Sequence, residues 1–236
     1  MNPLRSLARL CGYNLERILK QTTLEDHLQV VFANQATDIV LDVGANRGTY
    51  GAMLRRLGYR GSIVSFEPLE SIFAELSLRA SGDPDWRVLQ MALGEQIESR
   101  NMSRHQRSDI SSLLPLNDFG ARIFGVNSVS EETIRIYRGD VIWPEVVPTG
   151  AQSVFLKTDT QGFDMNVLRG FGERLRDIRC IQIEAAFKPI YEGMPRYSEI
   201  LSFLEKSGFV LSGVFPVSRD TNQAIIEADF VFVRTE

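Results

Sequence analysis

The sequence predicts an α/β protein: a mainly parallel sheet with helices on both faces. Short apolar runs rich in β-branched residues, at 39–43, 62–66, 153–157 and 178–183, alternate with segments whose apolar residues recur at helical spacing. The first of these runs leads directly into a glycine-bearing loop and then a helix pattern, the order that ligand-binding α/β sheets use. A chain of 236 residues, 44% hydrophobic and 24% charged, has the composition of an ordinary globular protein with a substantial core.

Each element has its own signal. Leu4, Leu7, Leu15, Ile18 and Leu19 space as a helix, with Arg5, Arg9, Arg17 and Lys20 between them. This is a helical cover for the sheet or a second subunit, part of an acceptor pocket, or a basic membrane-surface face. Thr23 can cap a second helix, with Asp26 completing a capping-box-like pair, and Leu24, Leu28, Val31 and Phe32 continue it. The first strand, 39–43, is followed by a helix carrying Tyr50, Met53, Leu54 and Leu57. The second strand is 62–66 and its helix 69–79; residues 85–92 read as a third strand. From 95 to 150 the pattern loosens into polar sequence containing His105, Ser111 and Ser112. That stretch is too long for a simple crossover and is read as an insertion of active-site loops, with a short antiparallel pair around 132–141. The fourth strand is 153–157, its helix runs from about Asp164 to Gly170, and the fifth strand, 178–183, ends at Glu184. Ser198 caps a helix closed by Gly208, and 209–215 and 229–233 are two final strands around a polar turn at 218–223. The expected organisation is an N-terminal helical cover, 1–36, and one domain, 37–236, with 95–150 inserted in it.

The loop after the first strand narrows the ligand. Gly44 and Gly48 are too far apart for the Gly-x-Gly-x-x-Gly dinucleotide pattern, and no Gly-Lys-Ser/Thr follows for a phosphate loop. Asp42 precedes the first glycine, where a pyrophosphate would meet a like charge. Glu67 closes the second strand, where a carboxylate takes the hydroxyls of a ribose. A nucleoside with a cationic, amino-acid-like tail suits both carboxylates, and S-adenosyl-L-methionine is such a molecule.

The ordered blocks Asp42-Val-Gly-Ala-Asn-x-Gly48, Phe66-Glu67-Pro68, Ala92-Leu93-Gly94 and Leu156-Lys-Thr-Asp159-Thr-Gln161-Gly-Phe163 resemble the FkbM family of S-adenosylmethionine-dependent methyltransferases over roughly residues 38–234. The resemblance implies a Rossmann-like class I methyltransferase fold with seven strands in the order 3-2-1-4-5-7-6, the last antiparallel. It implies methylation of a hydroxyl on a sugar, lipid or polyketide-type small molecule. It also implies cofactor contacts from Asp42, Gly44, Ala45, Asn46, Gly48, Tyr50, Glu67, Pro68, Met91, Ala92 and Asp159, although Met91 reads equally well as core. The family commonly has an acid where this chain has Gln161, so a metal cluster is not expected; Asp164 would have to turn inward to help Asp159 and Glu184 form one.

Methyl transfer needs an acceptor held in line and its proton removed. Asp159 and Glu184 end adjacent strands and are candidate bases. His105 is a third, by its pKa. Each also has a plainer reading, as a strand-end cap or a solvated loop residue. A formal net charge of -4 argues against a general nucleic-acid binder. No apolar run approaches the roughly 20 residues of a membrane span, and the basic N-terminus does not develop into a signal sequence. Cys11 and Cys180 are too few and too far apart for a disulfide or zinc framework. The expectation is a cytoplasmic enzyme, possibly a homodimer, acting on a small molecule with a free hydroxyl. An oxidoreductase binding NAD or a nucleotide sugar, and a catalytically silent cofactor-binding subunit, are the alternatives.

Overall fold

The computed structural model describes residues 23–105, 111–124 and 130–234. The first helix pattern, with Cys11 and the basic residues around it, lies outside them. Helix α1 (Leu24–Gln35) starts where Thr23 accepts the N–H of Asp26 at 3.1 Å, and it ends at Ala36 in the left-handed conformation. Next come β1 (Ile39–Val43), α2 (Thr49–Arg56), β2 (Ser62–Phe66), α3 (Glu70–Ala80) and β3 (Trp86–Leu89). After an intervening region, β7 (Val154–Thr158), α6 (Asp164–Gly170), β8 (Ile178–Ala186), α7 (Tyr197–Lys206), β9 (Phe209–Arg219) and β10 (Ile225–Arg234) complete the main layer.

The seven-stranded sheet has the order β3-β2-β1-β7-β8-β10-β9. Numbered within this sheet alone, that is 3-2-1-4-5-7-6, and β10 runs antiparallel to both its neighbours. The central strands β1 and β7 are buried along their whole length, as a parallel sheet covered on both faces requires. One core layer gathers Leu41, Leu156, Ile181, Phe171 and Phe230; the other holds Leu28, Leu54, Phe155 and Trp86.

The intervening region departs from its sequence pattern. The expected third strand divides: β3 stops at Leu89, and β4 (Ala92–Leu93) leaves the main sheet to pair with β6 (Ser130–Tyr137). The antiparallel partner of β6 is β5 (Glu98–Arg104), from the stretch read as polar loop. Much of β5 is exposed, so it carries no apolar alternation to announce a strand. Residues 139–146, expected partly as strand, form helix α5 (Gly139–Val146), and α4 (Asp118–Phe124) precedes β6. Ser198 does not cap α7: the helix begins at Tyr197, and Glu199 Oε1 accepts the N–H of Arg196 at 3.0 Å. Strands β9 and β10 approach their turn more closely than expected and narrow it to the residues between Arg219 and Ile225.

Candidate active site

The loops at the C-terminal ends of β1, β2, β7 and β8 enclose a cavity of about 430 Å³, roofed by Met102 and Ile134 of the small sheet and by Leu113 and Phe124. Gly44, Asn46, Glu67, Pro68, Met91, Ala92, Asp159 and Glu184 line it. Asp42, Ala45, Gly48, Tyr50 and His105 do not, and each is held elsewhere for a clear reason.

Asp42 is fully buried, with Lys157 Nζ 3.2 Å away and the Ser65 hydroxyl donating to it at 3.0 Å. The cation its carboxylate was expected to meet in a ligand is supplied by the protein itself. Ser65, Asp42, Lys157 and Gln182 are register partners on β2, β1, β7 and β8, so a polar row crosses the sheet beneath the cavity. Trp86 Nε1 donates to Ser65 at one end, and Gln182 donates to Asp229 at 3.0 Å at the other. Tyr50 belongs to this row: its hydroxyl donates to Gln182 at 2.8 Å, with Lys157 Nζ 5.4 Å from its ring centre. Burial pulls the Lys157 ammonium down, but Asp42 and Asp159 outweigh it and hold the group above its usual range.

Ala45 is core, and Gly48 is where α3 approaches: a Cβ there would lie 2.7 Å from Leu76. At Gly44 (φ +75°), a Cβ would lie 2.0 Å from the carbonyl oxygen of Asp159. What comes close to this glycine is the loop after β7, so the residue seats the protein's own backbone as well as facing the cavity. His105 is buried behind the wall, its N–H donating to the Ser111 hydroxyl at 3.2 Å, because the chain after β5 turns in to bond Ser103 to Ser112.

Two polar groups face each other through the cavity. At one end, Glu67 Oε2 accepts the N–H of Asn46 and Oε1 that of Leu69, both at 3.0 Å. Burial pushes its carboxyl up to about 7, against the pull of those two N–H groups and of Lys157. At the other end, Gln161 (φ +53°) donates from Nε2 to Asp159 at 3.0 Å and to Glu184 at 3.2 Å, while Tyr191 donates to its Oε1 at 3.0 Å. One neutral amide thus joins two carboxylates, a task an acid at this position would not perform while ionised. Asp164 is committed elsewhere, accepting from Thr158 Oγ1 at 2.7 Å and from the N–H groups of Thr160 and Gly162. Among the described residues no cluster of His, Cys, Asp and Glu is arranged to hold a metal.

Glu184 is pushed well above the ordinary carboxylate range by burial and by Asp159, Glu227 and Asp229 nearby. Glu227, which sequence reasoning did not single out, also lines the cavity, and burial takes it to about 6 against the Ser218 hydroxyl 3.2 Å away. The signal for it was present. Glu227 and Asp229 are acids two apart in an apolar run, which places both on one face of a strand.

A family model described as the methyltransferase FkbM domain matches residues 42–211. Among solved structures, an rRNA methylase from Streptococcus thermophilus is similar at 11% identity, covering 90% of this chain and 94% of that one, with a TM-score of 0.49. A SAM-dependent methyltransferase from Aquifex aeolicus matches at 15% identity, 89% and 92% coverage and a TM-score of 0.43. Magnesium protoporphyrin IX methyltransferase from Synechocystis PCC 6803, solved with bound SAM, matches at 11% identity, 99% and 96% coverage and 0.42. No curated protein matches significantly. The seven-stranded order, with β10 antiparallel to its neighbours, is the Rossmann-like class I methyltransferase arrangement, and the matched segment runs from the end of β1 to the start of β9, taking in Glu67, Asp159, Gln161 and Glu184 but not β10. The chain belongs to the FkbM methyltransferase family.

Proposed function

We propose that this protein methylates a hydroxyl oxygen of a small, largely apolar molecule. S-adenosyl-L-methionine is its cofactor, as membership of the family entails. The observation that carries the reading is that one cavity joins Glu67 to the Asp159–Gln161–Glu184 group.

The residues present suit the cofactor. Each oxygen of Glu67 takes one backbone N–H and retains a lone pair, which together receive the two hydroxyls of a ribose. Met91 and Ala92, at the same end, offer a wall for the adenine, and Gly44 and Asn46 border the amino-acid tail. When bound, the cofactor supplies a sulfonium methyl group open to in-line attack. Asp159 and Glu184 then hold the acceptor hydroxyl, and Glu184 takes its proton. Its raised pKa makes it a stronger base than an exposed carboxylate, and Gln161 keeps both carboxylates from turning away. The apolar walls (Leu113, Ile123, Phe124, Ile190) exclude water and favour an acceptor with an apolar body.

Residues 37–236 serve as the methyltransferase domain in this reading, with 95–150 as the acceptor-facing insertion and 1–36 as a cover. Helix α1 buries Leu28 and Val31 in the core, and its His27 meets Ser212 of β9 at 2.9 Å. Among the described residues no helix is long and apolar enough to cross a membrane. Calorimetric titration with S-adenosyl-L-methionine and with NAD, followed by transfer of labelled methyl to amphipathic alcohols, tests the reading. NAD binding in place of S-adenosyl-L-methionine overturns it. Cofactor binding without transfer to any acceptor makes the protein a silent subunit.

A further inference from the structure

The acids at the acceptor end differ in how completely their oxygens are used. Asp159 and Glu184 share the amide of Gln161, and Asp229 takes that of Gln182. Glu227 has one contact, from the Ser218 hydroxyl to Oε2, and its buried Oε1 has no hydrogen-bond partner among the described residues. The residue is only 7% exposed and stands in the cavity wall. A buried acceptor oxygen left without a donor is costly, and one kept beside a cavity that holds other acids calls for a partner or a role at that site.

We propose that Glu227 is an acceptor-binding residue, the receptor for a second hydroxyl, so that the pocket selects an apolar molecule carrying two neighbouring hydroxyls. The proposal rests on the methyltransferase reading and adds to it the residue and the substrate chemistry. In the β8–β10 pairing, Glu184 lies opposite Asp229 and Glu227 opposite Ala186. Glu184 and Glu227 are therefore diagonal neighbours on one face, a relation that sets the backbones about 7–8 Å apart and lets long side chains converge. One hydroxyl held at Asp159 and Glu184 leaves a hydroxyl on the adjoining carbon within the reach of Glu227. Burial and the neighbouring carboxylates raise both Glu184 and Glu227. Hydroxyl donors on the acceptor favour the ionised forms, in which Glu184 can take a proton and Glu227 can accept a hydrogen bond. The apolar side chain of Ile226 next to Glu227, with Ile190 and Val217, provides for the body of such a molecule.

The experiment uses the full-length protein saturated with S-adenosyl-L-homocysteine, so that binding is read without turnover. The probes are 1,2-octanediol and 1-octanol, titrated by ligand-observed NMR. Wild type is expected to bind the diol roughly tenfold or more tightly than the mono-ol, the scale of one hydrogen bond to a charged group. Glu227→Met keeps the volume and removes both oxygens, and should bring the ratio to about one. Glu227→Gln should leave a reduced preference, since its amide oxygen still accepts. Because each protein is scored by its own ratio, a less stable variant remains readable. A wild-type ratio near one, binding of neither alcohol, or an unchanged ratio in Glu227→Met overturns the proposal. If S-adenosyl-L-homocysteine still binds in such a case, the methyltransferase reading stands and only the role of Glu227 falls. If S-adenosyl-L-homocysteine itself fails to bind, it is that reading that fails.

Discussion

Glu67 and Glu227 are both buried carboxylates in the wall of one cavity, and burial lifts them to neighbouring values, about 7 and about 6. Ionisation does not distinguish them; their hydrogen bonds do. Glu67 is aimed by two backbone N–H groups from a loop and a helix start, and the stretch that forms it lies between residues 42 and 92. Glu227 is held by one rotatable hydroxyl, and the group around it comes from 159–161, 184, 191 and 227. In the proposed reading, the cofactor end is thus fixed before any ligand arrives, and the acceptor end is assembled from distant segments and left partly unsatisfied, where a substrate supplies the missing partners.

The difference can be broken most forcefully at the acceptor end. Glu184→Gln and Asp159→Asn should keep cofactor affinity, measured by calorimetry, while one of them lowers turnover about 10²–10⁴-fold, the contribution of a general base. Glu184 is expected to be that one. His105→Ala should lose far less, because the cavity wall does not include His105. A larger loss at His105 would move the base out of the acid group.

The seam between the two ends comes next. Gly44→Ala forces a Cβ against the Asp159 carbonyl and a non-glycine residue into a positive φ. It should lower stability by about 2–4 kcal/mol in urea unfolding. A variant as stable as wild type would show that the two loops separate freely.

At the cofactor end, Glu67→Ala should weaken S-adenosyl-L-methionine binding by about 1.5–3 kcal/mol, the range for hydrogen bonds to a charged group. The smallest effect separates the two acids by pH. Glu67 binds its proton more tightly folded than unfolded, rising from 4.5 to about 7. Its contribution to stability is therefore fully present below about pH 4.5 and is lost as the pH rises through about 7. Cofactor affinity should move the other way, since ribose hydroxyls donate to the ionised carboxylate. Binding at pH 6 should be roughly tenfold weaker than at pH 8, and Glu67→Gln should flatten that dependence. A pH-independent affinity in wild type would remove the ribose from Glu67.

How much of this was legible in the chain follows the same division. Glu67 closes a short apolar strand whose end is visible in Ser62 to Phe66, so its place at the cavity could be read from local pattern alone. Asp159 and Glu184 were legible for the same reason. Glu227 is legible only through its two-residue spacing from Asp229, a faint signal because the two acids interrupt the apolar run of β10; antiparallel pairing with β8 is what buries both. Strand β5 escaped notice because it lies at the edge of the small sheet with exposed side chains, where sequence is free to be polar. Asp42 misled through its neighbourhood: its partner Lys157 lies far along the chain, and only the parallel pairing of β1 with β7 brings the charges together.

The polar row under the cavity has a consequence for how the chain finds its sheet. Parallel strands of nearly uniform apolar residues can slip past one another with little change in buried area, and a slip by one residue reverses every side chain. With Asp42 opposite Lys157, such a slip would set the ammonium against Leu41 or Val43 and strand both charges in the interior. The row therefore works as a checksum on the assembly of β2, β1, β7 and β8, rejecting every alignment but one. It also couples two positions far apart in the chain: without Lys157 the fully buried carboxylate of Asp42 would have no cation beside it, whereas Lys157 without Asp42 would still have Asp159 at 3.6 Å.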